Sequence, residues 1–180
     1  MDDHVGESSL VARARAGGSD GHAAFRVLVE RHQAWLVRYL YYVLGSMADA
    51  EDVAQDALVR AYEALPTFRG DAGFRTWLRR IATRLAYNHR RDARTRQRYH
   101  DHDRAVVSRF APGPAEATEA RDTLVKVLHA LPYPYREILI LRHVEALSVA
   151  EIAAVLDIGL SAAKMRLSRA RDAFWDHHGE

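Results

Sequence analysis

The chain has 180 residues, of which 48% are hydrophobic and 28% charged, and a formal net charge of +2. That leaves room for one large or two small domains with a genuine core. The absence of cysteine excludes a disulfide framework and a thiolate metal site, and fits a reducing cytoplasm. The sequence pI near 9.0 against so small a total charge says that the charges are distributed locally. Lys126 and Lys164 are the only lysines, so the positive charge is almost all arginine. Residues 1–18 lack an apolar signal core, and no run is long enough to cross a bilayer.

Periodicity is helical nearly throughout, and strand alternation is absent. A short helix is predicted over Leu10–Ala16, ending at Gly17-Gly18. A long amphipathic helix follows over Ala23–Leu44, with Phe25, Leu28, Val29, Trp35, Leu36, Tyr39, Leu40 and Val43 on its apolar side; Gly45 stops it. An acidic helix is expected over Ala50–Leu65, stopped by Pro66. After the loop TFRGDAG, a basic helix starts at Gly73 or Phe74 and fades near Arg94. Residues 95–119 have weak periodicity and contain Pro112-Gly113-Pro114, the character of a linker. Further helices are expected at 120–130, 133–144, 148–156 and 161–175. The expected fold is all-α: two small helical domains, 1–94 and 120–180, joined by a flexible linker at 95–119, the C-terminal one a helix-turn-helix.

The acidic helix DAEDVAQDALVRAYEAL turns Val53, Ala54, Ala57, Leu58, Ala61 and Leu65 inward. Its other side shows Asp52, Gln55, Asp56, Arg60 and Glu63 around Val59. An apolar residue ringed by acids suits a protein contact with a dry centre and a charged rim. A solvated helix with one stray valine fits the wheel equally well, and a metal site at Asp49, Asp52 and Asp56 is a third reading.

The basic helix buries Phe74, Leu78, Ile81 and Leu85 on the wheel. Beside that stripe lie Trp77, Arg80, Arg84, Tyr87, Asn88 and Arg91. Rings interleaved with guanidinium groups suit single-stranded nucleic acid, where bases stack and phosphates pair. Trp77 is equally a core residue by position. Arg75, Arg79, Arg90 and Arg94 extend the positive field around the other side.

The most specific stretch is LSVAEIAAVLDIGLSAAKMRLSRARDAF. Ser148 and Glu151 have the spacing of a capping box. Asp157-Ile158-Gly159 reads as a tight turn with Gly159 at positive φ, and Ser161 as the cap of a second helix. In that helix Ala163, Leu167, Ala170 and Phe174 form an inner stripe. Ser161, Lys164, Met165, Arg166, Ser168, Arg169 and Arg171 form the outer face and its flanks, the layout of a recognition helix in a major groove.

These three motifs, in this order, resemble the extracytoplasmic-function sigma factors of the bacterial sigma-70 family, over about Phe25 to Phe174. The resemblance implies that Asp52, Gln55, Asp56, Val59 and Glu63 dock on the β′ clamp helices of core RNA polymerase, with the β subunit also in contact. It implies that Phe68, Arg69, Asp71, Trp77, Arg80, Arg84, Tyr87, Asn88 and Arg91 capture the melted minus 10 strand, with a flipped base near the loop. Arg84 stands where many members carry Asn. It implies that the helix-turn-helix reads minus 35 duplex, and that the linker becomes ordered in holoenzyme. No further C-terminal domain is expected, and a separate anti-sigma factor is the expected regulator. The expected partners are thus core polymerase, promoter DNA and an anti-sigma factor, in the cytoplasm, with no cofactor, no metal, no membrane insertion and no catalysed reaction. Two rivals are a stand-alone DNA-binding regulator, which leaves the acidic helix unexplained, and an enzyme built on His100-Asp101-His102-Asp103 and His177-His178. The latter has no nucleophile–base pair or phosphate loop.

Overall fold

The computed structural model describes residues 3–70, 72–99 and 115–178, with side chains over 6–70, 72–93 and 122–176. The secondary structure among the described residues is helical, and the helices form two domains. The N-terminal domain holds α1 (Asp3–Ala16), α2 (Gly18–Leu44), α3 (Met47–Ala64) and α4 (Phe74–Tyr99). The C-terminal domain holds α5 (Ala115–Ala130), α6 (Tyr133–Leu139), α7 (Val149–Leu156) and α8 (Leu160–His178). Residues 100–114 between them lie outside the described residues, and so does the histidine run at 100–103. Nothing is described of the His177 and His178 side chains. No helix among the described residues is long and apolar enough to cross a membrane.

The helix α2 is the centre of the N-terminal domain. Leu28, Leu36, Tyr39, Leu40 and Val43 are fully buried along it, each side chain contributing roughly 1.5–3 kcal/mol of apolar burial. The first helix lies on its N-terminal half, where Gly21 faces the α1 carbonyls so closely that a Cβ would stand 3.1 Å from the oxygen of Arg13. Ser46 caps α3 through its hydroxyl, which accepts from the Asp49 amide at 3.3 Å. The buried side of α3 is small: Ala50, Val53, Ala54, Ala57 and Ala61. That matches the expected stripe, with Leu58 only partly covered. A 3₁₀ turn at Leu65–Thr67 absorbs Pro66 and leads to α4.

Two local expectations are corrected. The buried stripe of α4 is Phe74, Leu78, Ala82 and Ala86, joined by Arg79 and Thr83, whereas Ile81 and Leu85 are only partly buried. The stripe is rotated because α4 packs on α7 as well as on α2 and α3. The turn between α7 and α8 is made by Asp157 at φ 54°, not by Gly159. Asp tolerates the left-handed region because its short polar side chain bonds locally. Helix α8 accordingly begins at Leu160, and Ser161 sits inside its first turn rather than at the cap.

The two domains pack against each other, which periodicity did not reveal. The chain leaves α6 through a π turn at Ile140–Val144, where the Glu145 amide donates to the Ile140 carbonyl at 3.0 Å. Arg136 is buried and donates to the carbonyls of Leu128, His129 and Leu131 in its own domain and to that of Val43 at the end of α2. A cation at two helix C-termini is favourably placed for both dipoles. Leu36→Ala should lower unfolding stability by about 2–5 kcal/mol. Val59→Ser on the exposed side of α3 should stay within about 0.5 kcal/mol. Urea unfolding of the two variants checks the contrast.

Candidate nucleic-acid and protein interface

On α3 the residues Asp52, Gln55, Asp56, Val59 and Glu63 are all exposed. Val59 keeps 58% of its surface, so a valine that could have turned inward stands free among acids. Tyr62, missed by the wheel because it borders the inner stripe, extends this surface and is 41% exposed. Its ring is braced by Phe25 at 5.0 Å and His22 at 5.8 Å. Asp49 does not join the group: its carboxylate meets His89 of α4 at 3.1 Å.

On α4, Arg80, Arg84, Tyr87 and Arg91 are exposed and Asn88 is half-buried. Trp77 lies between core and surface. It is half-buried, with its ring 4.8 Å from Phe68 and 5.7 Å from Phe74. Phe68 differs from the rest of its set, being only 7% exposed beneath this aromatic cluster, so it supports the surface rather than lining it. Arg69 is exposed, and Asp71 lies outside the described residues. Of the arginines expected to extend the field, Arg79 and Arg90 are otherwise engaged, and Arg75 is half-exposed while reaching Glu145. Arg79 is 3% exposed, and Arg90 lies over the Tyr133 ring at 4.4 Å. Nothing is described of the Arg94 side chain. The surviving positive face is therefore the one that carries Arg80, Arg84 and Arg91.

The helix-turn-helix is built as its motif requires. The Ser148 hydroxyl accepts from the Glu151 amide at 3.2 Å, and the Glu151 carboxylate accepts from the Ser148 amide at 2.8 Å. This reciprocal cap starts α7. Ala163, Leu167 and Ala170 seat α8 in the core. Ser161, Lys164, Met165, Ser168, Arg169 and Arg171 are exposed, with Met165 at 55%. Arg166 is half-buried and acts electrostatically on Glu137 beneath the helix.

Glu137 is a buried carboxyl, and burial pushes it up to about 7 against the opposing effects of the Tyr133 hydroxyl, Arg166 and Arg90. The Tyr133 hydroxyl donates to it at 3.0 Å. His129 is shifted the other way, down to about 4, by burial and by neighbouring Arg136. A raised carboxyl stabilises the fold below its unfolded value and loses that contribution as pH rises to about 7. The lowered histidine has the opposite slope, losing stability as pH falls from 6.5 toward about 4. The difference between wild type and Glu137→Gln isolates the first. The variant should gain on the wild type between about pH 4.5 and 7, by on the order of 3 kcal/mol at full shift, in urea unfolding repeated across pH. Ser148→Ala should cost about 0.5–2 kcal/mol by loss of the cap, read in the same assay.

Comparison with known proteins bears on all three faces. Residues 28–96 match the model of Sigma-70 region 2, and residues 121–174 that of Sigma-70, region 4. The chain is 32% identical to the ECF RNA polymerase sigma-E factor of Escherichia coli strain K12, over 96% of this chain and 94% of that protein. It is 33% identical to the RNA polymerase sigma-H factor of Pseudomonas aeruginosa, over 93% of this chain and 91% of that protein. Among solved structures it resembles CnrH in complex with the cytosolic domain of CnrY, with a TM-score of 0.69, 28% identity and 94% of each chain covered. It resembles equally the sigma factor RpoE in complex with the anti-sigma factor NepR from Bartonella quintana, with a TM-score of 0.69 and 25% identity over 86% of this chain and 96% of that one. An acidic helix, an arginine-aromatic helix and a capped helix-turn-helix, matched in order at both ends, establish the chain as a member of the extracytoplasmic-function group of sigma-70 factors.

Proposed function

We propose that this sigma factor works through a division of labour among its three exposed faces. The face of Asp52, Gln55, Asp56, Val59 and Glu63 docks on core RNA polymerase, at the β′ clamp helices, with the β subunit also in contact. The Arg80, Arg84, Tyr87, Asn88 and Arg91 side of α4, with Arg69 and the edge of Trp77, holds melted minus 10 DNA. The outer face of α8 reads minus 35 duplex. The domains responsible are the N-terminal one, ending with α4 at Tyr99, and the C-terminal one, beginning with α5 at Ala115, so both helices run further into the expected linker 95–119 than the sequence suggests. The observation that carries the docking step is the exposed Val59: an apolar centre within an acidic rim on a helix otherwise packed by alanines.

The charge of each face follows from its partner. DNA phosphates attract α4 and α8 and repel α3, so the acidic helix is kept free for protein. Stacking on Tyr87 and the Trp77 edge adds attraction only once bases leave the duplex, which favours the melted strand. The protein carries no reacting group in this scheme; it positions the polymerase and holds open DNA, in the cytoplasm, without a covalent step. Control by an anti-sigma factor is supported by the RpoE neighbour, whose solved complex contains one.

Size-exclusion chromatography with bacterial core polymerase tests the docking face. The wild type should co-elute, and Asp56→Arg should not while keeping its helical spectrum; equal co-elution of both would sink the assignment. Arg169→Ala should weaken promoter binding by about 1–3 kcal/mol if it makes a base contact. An unaltered footprint would remove it from the reading surface.

A further inference from the structure

The residue that follows the π turn stands apart from the function described so far. Among the described residues, every hydrogen bond that the Glu145 carboxylate makes crosses to the other domain. The Trp35 indole N–H donates to its two oxygens at 3.0 and 2.8 Å. Arg79 donates from Nη2 at 2.5 Å, and Arg75 from Nη2 at 3.4 Å. The guanidinium groups of Arg75 and Arg79 also lie over the Trp35 ring, 4.4 and 5.1 Å from its centroid. The Glu145 side chain is only 3% exposed. Its bonds to these donors exist only while the two domains touch, and water replaces them when the domains part.

The rest of the contact is consistent with a surface that closes and opens. Tyr41 donates to Asp122 at 3.2 Å, Arg90 lies over Tyr133, and Arg136 and His129 bond the Val43 and Tyr42 carbonyls. The Arg79 Nε is buried without a hydrogen-bond partner, a standing cost to the closed arrangement. Glu145 is thus the buried anion of a contact that also includes apolar packing and the bonds of Arg136 and His129 to the end of α2.

The closed arrangement conflicts with promoter reading. The helix assigned to minus 10 DNA, α4, touches α7 of the minus 35 domain. Elements about 25 base pairs apart lie ~85 Å from each other at ~3.4 Å per pair. Domains in direct contact cannot reach both. We propose that Glu145 is an intramolecular latch, which holds the sigma factor closed by binding Trp35, Arg75 and Arg79 and must release before both promoter elements are engaged. This rests on the assignment of the two DNA faces given above.

Glu145→Gln keeps the shape of the side chain and removes its charge, so Arg79 loses its counter-ion. Trp35→Phe keeps an aromatic ring and removes the indole donor. Small-angle scattering of the free proteins reads closure directly, and circular dichroism reports whether each variant folds. The wild type should have a radius of gyration near that of a compact chain of this length, about 16 Å. Glu145→Gln should rise to about 20 Å or more with helicity unchanged, and Trp35→Phe should move the same way. With core polymerase supplied, Glu145→Gln should also form promoter complexes several-fold faster than wild type. An unchanged radius in both variants, or a wild type already extended, overturns the latch. A larger radius with no faster promoter binding overturns its regulatory role. If Glu145→Gln loses helicity, Trp35→Phe decides. If neither protein binds core polymerase, the failure belongs to the docking assignment, and the scattering still settles the latch.

Discussion

One constraint organises the molecule: α2 has to be covered on nearly every side. At 27 residues it is roughly 40 Å long, and buried side chains recur along most of it, from Ala24 to Val43. Three helices of its own domain share the task. Its C-terminal end is finished by the second domain, through the Val43 and Tyr42 carbonyls. The Tyr39 hydroxyl sits at the middle of this arrangement, buried and bonded to the Thr83 hydroxyl at 2.8 Å. A buried hydroxyl without that partner would be costly, so the bond fixes the register of α4 against α2. The faces of α3 and α4 left outward are set by that register.

Close approach is what lets so small a domain present opposite charges. The alanines of α3 and Ala82 and Ala86 of α4 keep the helices near their neighbours. Their polar sides then become separate outer surfaces of one body. His89 and Asp49 meet where the acidic and basic helices adjoin. Guanidinium groups that face the second domain are taken up by Trp35, Tyr133 and Glu145. The basic character of α4 is thus divided into a solvent-facing half and an internal half, and sequence counting of arginines merges the two.

Much of this was legible beforehand, for reasons tied to range. The inner side of α3, the capping box at Ser148 and Glu151, and the Ala163, Leu167 and Ala170 stripe all depend on residues within a few positions of each other. Helical periodicity reports such local facts well. What escaped depends on partners far along the chain. Arg79 reads as a solvent cation until Glu145, 66 residues away, is known to meet it. Phe68 reads as a loop aromatic free to touch DNA until Trp77 and Phe74 close over it. The π turn at Ile140–Val144 carries no local composition signal, and its effect, placing Glu145 against the other domain, shows only in the folded chain. Asp157 displaced Gly159 as the turning residue for a different reason: both tolerate the left-handed region, and propensity alone does not choose between them.

Arg136 carries one last consequence. Three of the carbonyls it serves belong to its own domain, and only that of Val43 belongs to the other. Drawing the domains apart would expose that single acceptor to water, which replaces the bond at little net cost. The guanidinium would stay seated in its own helix ends throughout. Separation therefore need not melt either domain, and rejoining need not refold one: the joint is hydrated and dehydrated as a surface, with each half arriving already shaped.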